Sequence, residues 1–281
     1  MLKLTKEALA LDLPTAATRI KRFIKDYVEK AKAKGIVIGL SGGIDSSTAA
    51  ALAALAIGGD KISALNMPEE ETYNATDIRH AKMVAKKFGF KLETIDISPI
   101  LKAYYKALPI YDADDKLGRG NIKARTRMVC LYYYANNLGK IVCGSSDKSE
   151  TMMGYFTKWG DMAADISPLM DLYKTQVRQL AAHIGIPKEI ITKPPSPQLW
   201  PGQTAENELG VKYEALDLIL FGLENFMSPE EIAQSLELPV KLVQGIKDTW
   251  LTREHKRRLP LAIKLEYRTV GADFRLPYNR S

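Results

Sequence analysis

A short apolar segment, a glycine-rich turn and an alanine-rich segment follow one another near the N-terminus. GIVIGL (residues 35–40) is rich in Ile and Val, which predicts a β-strand buried on both faces. AAALAALAI (residues 49–57) predicts a helix. A strand that passes through glycines into a helix is typical of α/β proteins, in which helices cover a parallel sheet.

The alternation of strands and helices continues downstream. An amphipathic helix over residues 15–34 precedes the first strand. Further strands are predicted at 61–67, 91–97 and 140–144, and further helices at 74–89, 120–139 and 173–185. The fold class is therefore α/β: a doubly wound parallel sheet with helices on both faces, whose ligands bind outside the carboxyl ends of the strands.

The turn after the first strand reads LSGGIDSS and predicts a phosphate-binding loop. Backbone N–H groups at a helix N-terminus attract anions, and the hydroxyls of Ser41, Ser46 and Ser47 can donate further hydrogen bonds. Asp45 would repel a polyphosphate unless a hard cation lay between them, so its presence predicts Mg²⁺. A plain helix N-cap would need neither the paired glycines nor the run of hydroxyls, and the lysine of a Walker loop is missing.

The composition is that of an ordinary globular protein. Of its 281 residues, 46% are hydrophobic and 26% are charged, and the formal net charge is +7 at pH 7. No apolar run is long enough to span a membrane and no secretory signal is present, so we expect a cytoplasmic protein without a membrane partner. The positive charge suits a polyphosphate as well as nucleic acid, and the basic residues form no RNA-binding segment, so we expect no nucleic-acid partner.

The cysteines and histidines predict neither a disulfide nor a zinc site. Cys130 and Cys143 each lie in an apolar segment, which is typical of buried free thiols. His80, His183 and His255 are scattered along the chain without the spacing of metal ligands.

The character of the chain changes after the predicted helix at 173–185. Four prolines interrupt TKPPSPQLWPGQTAENELG (residues 192–210), which excludes a continuous helix and predicts a functional loop. The residues beyond this loop have helical periodicity. We expect a single domain over 1–281, with the core sheet at about 15–193 and the loop and C-terminal helices at about 194–281.

Five motifs in one order make the chain resemble an ammonia-dependent NAD synthetase of the ATP pyrophosphatase (adenine nucleotide alpha-hydrolase-like) superfamily. They are LSGGIDSS, GNIKARTRM, GYFTKWGDMAADISPL, KPPSPQLWPGQTAENELG and TREHKRRLP. The resemblance implies a ligase that uses ATP to activate the nicotinate carboxylate of deamido-NAD as an acyl adenylate, with release of pyrophosphate. Ammonia then displaces AMP to give NAD. The resemblance also implies a homodimer, for which the amphipathic first helix is a candidate contact.

The same resemblance implies roles for individual residues. Asp45 and Glu150 would hold Mg²⁺ and, with Lys174, form the catalytic set. The residues implied to bind ATP are Gly39, Leu40, Ser41, Gly42, Gly43, Ile44, Asp45, Ser46, Ser145, Lys174 and Ser196. The residues implied to bind deamido-NAD are Arg125, Lys158, Asp165, His255 and Lys256.

Several of these residues have simpler interpretations when each is taken alone. Arg125, Lys158 and Lys174 could be solvated surface side chains, and Asp147 and Glu150 could form only a helix capping box.

Two alternative assignments for the chain are an ATP-dependent tRNA-modifying enzyme and a nucleotide sensor that does not turn over ATP. The first often uses cysteine pairs, which are missing here, and the second leaves the paired metal-binding carboxylates unexplained. A glutamine-dependent synthetase would need an added amidase domain, for which we expect no room.

Overall fold

A parallel sheet forms the centre of the fold. The computed structural model describes residues 3–265, 267–270 and 273–274, and the predicted domain (1–281) extends beyond them. Within the described residues, four strands pair in the order β3-β2-β1-β4, and every pairing is parallel. The strands are β1 (Ile36–Gly39), β2 (Ile62–Asn66), β3 (Lys91–Thr94) and β4 (Ile141–Cys143).

Helices connect and surround the strands. None of the described helices is both long enough and apolar enough to cross a membrane. The helices are α1 (Leu13–Lys30), α2 (Ile44–Ile57), α3 (Ala75–Phe88), α4 (Ser98–Ala107), α5 (Lys116–Leu138), α6 (Lys148–Met153), α7 (Lys174–His183), α8 (Lys188–Ile191), α9 (Ala205–Leu209), α10 (Tyr213–Glu224), α11 (Pro229–Leu236), α12 (Val240–Thr252) and α13 (Glu254–Arg257).

The two faces of the sheet are buried under different helices. Ile36 and Ile38 of β1 belong to a core that includes residues of α1, α2, α3 and α7. Val37 points the other way, into a core formed with residues of α4 and α5. All three side chains are fully buried, so the prediction of a doubly wound sheet with helices on both faces is confirmed.

The C-terminal part is helical, as the sequence predicts, and its helices form a further core. Helices α10, α11 and α12 pack around Tyr213, Leu216 and Ile219, which are fully buried. Leu4 and Leu9 from the N-terminus complete this core. Its helix α10 contacts α6 and α7, and α6 begins just after β4, so the helical part lies beside the carboxyl end of the sheet.

Several helix boundaries, and one whole helix, differ from the prediction. Helix α1 ends at Lys30, four residues before the predicted end, and α5 begins at Lys116, four residues before the predicted start. Helix α2 begins at Ile44, five residues before the predicted start, because its first turn is the polar end of the glycine loop itself. Helix α4 was not predicted, although Pro99 stands at its start, where proline is favoured.

Both cysteines are free thiols, as predicted. Cys130 is half-buried and Cys143 is buried. Burial raises the pKa of both, and that of Cys143 to about 12, so neither is a thiolate near neutral pH.

Candidate active site

A cavity of about 800 Å³ lies at the carboxyl ends of β1 and β4. The strand order reverses between these two strands, which is where open α/β sheets bind ligands. Of the predicted site residues, Gly42, Lys174 and Asp165 are not part of its lining. The others line it together: Gly39, Leu40, Ser41, Gly43, Ile44, Asp45, Ser46, Arg125, Ser145, Glu150, Lys158, Ser196, His255 and Lys256.

Gly42 is required by the fold of the loop. Its φ is +85°, in the region that favours glycine. A Cβ at this position would lie 2.2 Å from the carbonyl oxygen of Asp77, at the start of α3. Gly42 therefore allows the loop to approach the neighbouring helix α3 closely. Of the two glycines, Gly43 is the one that lines the cavity.

Two serines order the glycine loop. The hydroxyls of Ser41 and Ser46 lie 3.0 Å apart, and the Gly43 N–H donates to Ser41 Oγ at 3.2 Å. Gly43 is the N-cap of α2, and no side chain caps the helix, which leaves first-turn N–H groups for an anion. Ser47, in contrast, is fully buried and does not line the cavity, so it does not serve the loop as expected.

Lys174 lies behind the cavity wall among three carboxylates. Its Nζ donates to Asp45 Oδ2 at 2.7 Å and to Glu150 Oε1 at 2.8 Å, and Asp147 Oδ2 lies 2.9 Å away. Lys174 and Asp147 are fully buried, whereas the side chains of Asp45 and Glu150 are 19% and 21% exposed. The structure thus brings the predicted catalytic set together, and its two acids reach the cavity. We call these four residues the acidic cluster.

Asp147 is a member of the acidic cluster that the sequence suggested only as a helix cap. It does cap α6, because its Oδ1 accepts a hydrogen bond from the Glu150 N–H at 2.8 Å. Its other oxygen faces Lys174. Its place in the loop after β4, three residues before Glu150, is the one sequence signal for this second role.

The pKa values of the acidic cluster are strongly shifted. Burial, reinforced by the neighbouring carboxylates, raises the pKa of Glu150 to about 8 and that of Asp147 to about 6, although Lys174 acts to lower both. Burial lowers the pKa of Lys174, but the three carboxylates outweigh it and raise that pKa well above its usual value. Lys174 is therefore a cation at neutral pH, and one cation does not fully offset three acids.

The acidic cluster is suited to a divalent cation whose coordination shell is completed by oxygens of a substrate. Asp45 Oδ1 is buried and has no hydrogen-bond partner within the described part of the chain. No group of three or more His, Cys, Asp or Glu side chains forms a complete metal centre among the described residues. Mg²⁺ is commonly held by one or two carboxylates together with phosphate oxygens. Asp45 and Glu150 are suited to that arrangement.

Four of the five residues predicted to bind the dinucleotide, all except Asp165, form another part of the cavity wall. Arg125 Nη2 donates to the Lys158 carbonyl at 3.3 Å, and Lys158 Nζ donates to the His255 carbonyl at 2.7 Å. Lys256 Nζ donates to the Gly154 carbonyl at 2.5 Å. These acceptors are neutral, so the positive charges remain available to an anionic ligand. We call Arg125, Lys158, Lys256 and the neighbouring Arg127 the basic wall.

Asp165 does not lie with the other predicted dinucleotide-binding residues. Its Oδ2 accepts a hydrogen bond from the Val142 N–H at 2.7 Å, and its own N–H donates to the Val142 carbonyl at 2.9 Å. These bonds extend the edge of β4. A role for Asp165 in binding stays a prediction.

The proline-rich segment contributes a continuous part of the cavity lining, from Lys193 to Trp200. The side chains of Lys193 and Gln198 both donate to the carboxylate of Asp77. Ser196, predicted to bind ATP, donates its hydroxyl to the Gln203 carbonyl at 2.6 Å. The segment is thus ordered beside the cavity by polar contacts within itself and with Asp77 of α3.

A buried lysine fixes the same segment to α5. Lys123 Nζ donates to the Leu199 carbonyl at 2.8 Å, to Glu69 Oε1 at 2.8 Å and to Glu71 Oε2 at 2.7 Å. Its side chain is 1% exposed, so all three donors are used. Neither Lys123 nor Asp77 was singled out from the sequence, because in a helical segment each resembles an ordinary surface residue.

Comparisons with known proteins agree with this geometry. The family model described as NAD synthase matches residues 16–260. An NH(3)-dependent NAD(+) synthetase from Hyperthermus butylicus is 46% identical over 257 residues, which cover 91% of this chain and 92% of the relative. A protein of the same name from Methanocaldococcus jannaschii is 49% identical over 243 residues, which cover 86% and 93%.

A solved structure shares the fold over most of the chain. An NMN synthetase from Francisella tularensis superposes with a TM-score of 0.80 at 33% identity, covering 91% of this chain and 100% of that one. The match extends over the sheet, the proline-rich segment and the C-terminal helices, since the family model reaches residue 260. The chain belongs to the NAD synthase family.

Proposed function

We propose that this protein makes NAD by ATP-dependent amidation of deamido-NAD with ammonia, through an acyl adenylate. The observation that carries the proposal is one cavity lined by Asp45 and Glu150 of the acidic cluster and by the basic wall. A carboxylate that attacks the α-phosphate of ATP brings two anions together, so a site for this reaction needs cationic groups for the substrates and a metal for the leaving pyrophosphate. The two ammonia-dependent relatives support the same chemistry.

The glycine loop and the acidic cluster would bind the ATP phosphates. The free N–H groups at the start of α2 and the hydroxyls of Ser41 and Ser46 donate to phosphate oxygens. Lys174 holds the carboxylates of Asp45 and Glu150 in one place and limits their mutual repulsion. Mg²⁺, when bound by these two acids, would neutralise charge on the polyphosphate.

The basic wall would bind the dinucleotide, and the proline-rich segment would limit access of water. An acyl adenylate is lost if water reaches it before ammonia does, so a site of this kind needs cover. Residues 193–200 provide part of that cover, and Lys123 fixes them to α5.

The decisive experiment is incubation of the purified protein with Mg-ATP, ammonium and deamido-NAD, with AMP, pyrophosphate and NAD measured together. We expect equal amounts of the three products and none when ATP is omitted. Glutamine freed of ammonia should not replace ammonium. Absence of NAD from folded protein would refute the proposal, and equal rates with glutamine would refute the ammonia dependence.

A second candidate substrate is the deamidated mononucleotide. The similarity to an NMN synthetase favours it, since that structure superposes at a TM-score of 0.80. The two candidates differ in whether the adenylate half of the dinucleotide contributes to binding. A comparison of kcat/KM for deamido-NAD and nicotinate mononucleotide would decide between them: we expect deamido-NAD to be preferred, and the opposite preference would reassign the substrate.

We also propose a homodimer in the cytoplasm, where ATP is available. Helix α1 is a weak candidate for the contact because its apolar face, with Ile24 and Val28, is buried against α2 within the chain. Helix α5 is a better one, since Val129 and Tyr133 are 53% and 66% exposed and lie one turn apart. Light scattering of the Val129→Glu variant should show a monomer, and an unchanged mass would refute this contact.

A further inference from the structure

Arg127 is a half-buried cation of the cavity wall that has unused hydrogen-bond donors. It lies on α5 and lines the cavity. Its Nε donates to the Met67 carbonyl at 3.1 Å, and its terminal nitrogens donate to no group in the described part of the chain. Lys123, Lys174 and Lys193, by comparison, each contact at least one carboxylate. Arg127 is therefore a cation for which the described residues provide no counter-ion.

The surroundings of Arg127 disfavour an unpaired charge. Burial lowers the pKa of its guanidinium, and the carboxylates of Glu69 and Asp161 oppose this effect without pairing with it. An arginine remains charged under all physiological conditions, so the charge persists in the unliganded protein. A partly buried cation of this kind is stabilised by an anion that enters the cavity.

The geometry of α5 separates Arg127 from Arg125, the residue implied to bind the dinucleotide. Residues two positions apart point to different sides of a helix. Arg125 is exposed and donates to the Lys158 carbonyl, whereas Arg127 is half-buried and points toward the end of β2, where Met67 lies. The two arginines thus serve different parts of the cavity.

On the basis of the proposed function, we propose that Arg127 binds a pair of anionic oxygens on a substrate at the reacting centre. A guanidinium presents parallel N–H donors that match a carboxylate or a phosphate. The two candidate groups are the nicotinate carboxylate and the phosphate that it attacks. If the carboxylate is bound, conversion to the neutral amide removes the partner of Arg127, and the product binds more weakly than the substrate.

The test compares the affinities of substrate and product in the wild type and in Arg127→Gln. Calorimetry with deamido-NAD and with NAD measures the preference for the carboxylate over the amide. We expect the wild type to prefer deamido-NAD by about tenfold or more, the value of a charge-assisted hydrogen bond. Arg127→Gln should remove most of that preference and change NAD binding by less than about threefold.

A second titration distinguishes the phosphate from the carboxylate. It uses α,β-methylene-ATP and adenosine, which share the base but not the phosphates. A loss of about tenfold in affinity for the ATP analogue alone, with the preference for deamido-NAD unchanged, would assign Arg127 to the phosphate. If neither affinity changes by more than about threefold, or if adenosine binding falls equally, the proposal is wrong.

Thermal unfolding separates this role from a structural one. Arg127 makes one hydrogen bond and no ion pair with the described residues, and burial disfavours its charge. Arg127→Gln should therefore keep or raise the unliganded Tm and lose only the rise in Tm on adding ligand. A fall in the unliganded Tm would indicate a structural residue. Arg127→Lys, which keeps the charge but not the parallel donors, should show an intermediate preference and serves if the Gln variant does not fold.

The matched control is Arg22→Gln on α1, whose side chain is 82% exposed. It should match the wild type in every titration. If the wild type itself neither binds deamido-NAD nor produces NAD, the proposed function fails. If it does both and Arg127→Gln keeps its preference and its ATP affinity, the Arg127 proposal alone fails.

Discussion

Replacement of Glu150 by glutamine should stabilise the unliganded protein at alkaline pH. The folded state raises the pKa of this carboxyl from 4.5 to about 8, with burial as the first cause. The folded protein therefore binds this proton more tightly than the unfolded chain does. The contribution of the Glu150 carboxyl to the free energy of unfolding therefore falls as the pH rises from 4.5 through 8. A glutamine at this position does not titrate and has no such pH dependence.

The expected gain follows from the same shift. One pKa unit corresponds to about 1.4 kcal/mol, so the penalty at pH 8 has an upper limit of about 4 kcal/mol. The side chain is 21% exposed and shares Lys174 with Asp45 and Asp147, which reduces the effect. We expect Glu150→Gln to raise the unfolding free energy by about 2 kcal/mol at pH 8 and by little at pH 5.

Urea denaturation without divalent cations, at pH 5 and at pH 8, measures this gain. The exposed Glu230, changed to glutamine, is the control and should show no such pH dependence. Addition of Mg-ATP at pH 8 should stabilise the wild type more than Glu150→Gln. The reasoning is refuted if Glu150→Gln is no more stable than the wild type at pH 8, or if the difference is the same at both pH values.

Three further substitutions test the site. Asp45→Asn should suppress pyrophosphate release in a single turnover without ammonia, followed by rapid quench; a defect confined to the ammonia step would contradict the metal role. Lys123→Met should lower the unfolding free energy in urea by about 3–5 kcal/mol because it leaves Glu69 buried without its cation; a loss below about 1 kcal/mol would count against that. Gly42→Ala should lower both Tm and ATP affinity, since its Cβ would lie 2.2 Å from the Asp77 carbonyl oxygen, whereas wild-type values would show that the loop can shift.

The central sheet could be predicted from the sequence because its signals are local. The run of Ile and Val in β1 and the glycine that ends α3 each act within a few residues. Boundaries were less certain, since the same local signals overlap where α2 begins inside the glycine loop. Helix α4 was not predicted, although Pro99 at its start is a local helix signal.

Site residues could be predicted where several of them belong to one sequence motif. Contacts between segments that are distant in the sequence could not. Asp45, Glu150 and Lys174 were named from motifs, and the structure places them together. Lys123 lies 76 residues from Leu199, and no local pattern reports a bond over that distance. Arg127 stands in the same motif as Arg125, yet the motif does not tell which of the two is buried.

The acidic and the basic groups of the cavity do not neutralise one another. Glu150 is paired with Lys174 and not with Arg127, for which the described residues provide no counter-ion. Lys174 holds Glu150 from behind, and the Met67 carbonyl holds Arg127 on α5. An ion pair between them would stabilise the empty protein but would compete with the substrates for both groups. Because the pair is absent, the acidic cluster can favour a cation with its phosphates while Arg127 favours an anion, so both substrates should stabilise the fold as they bind.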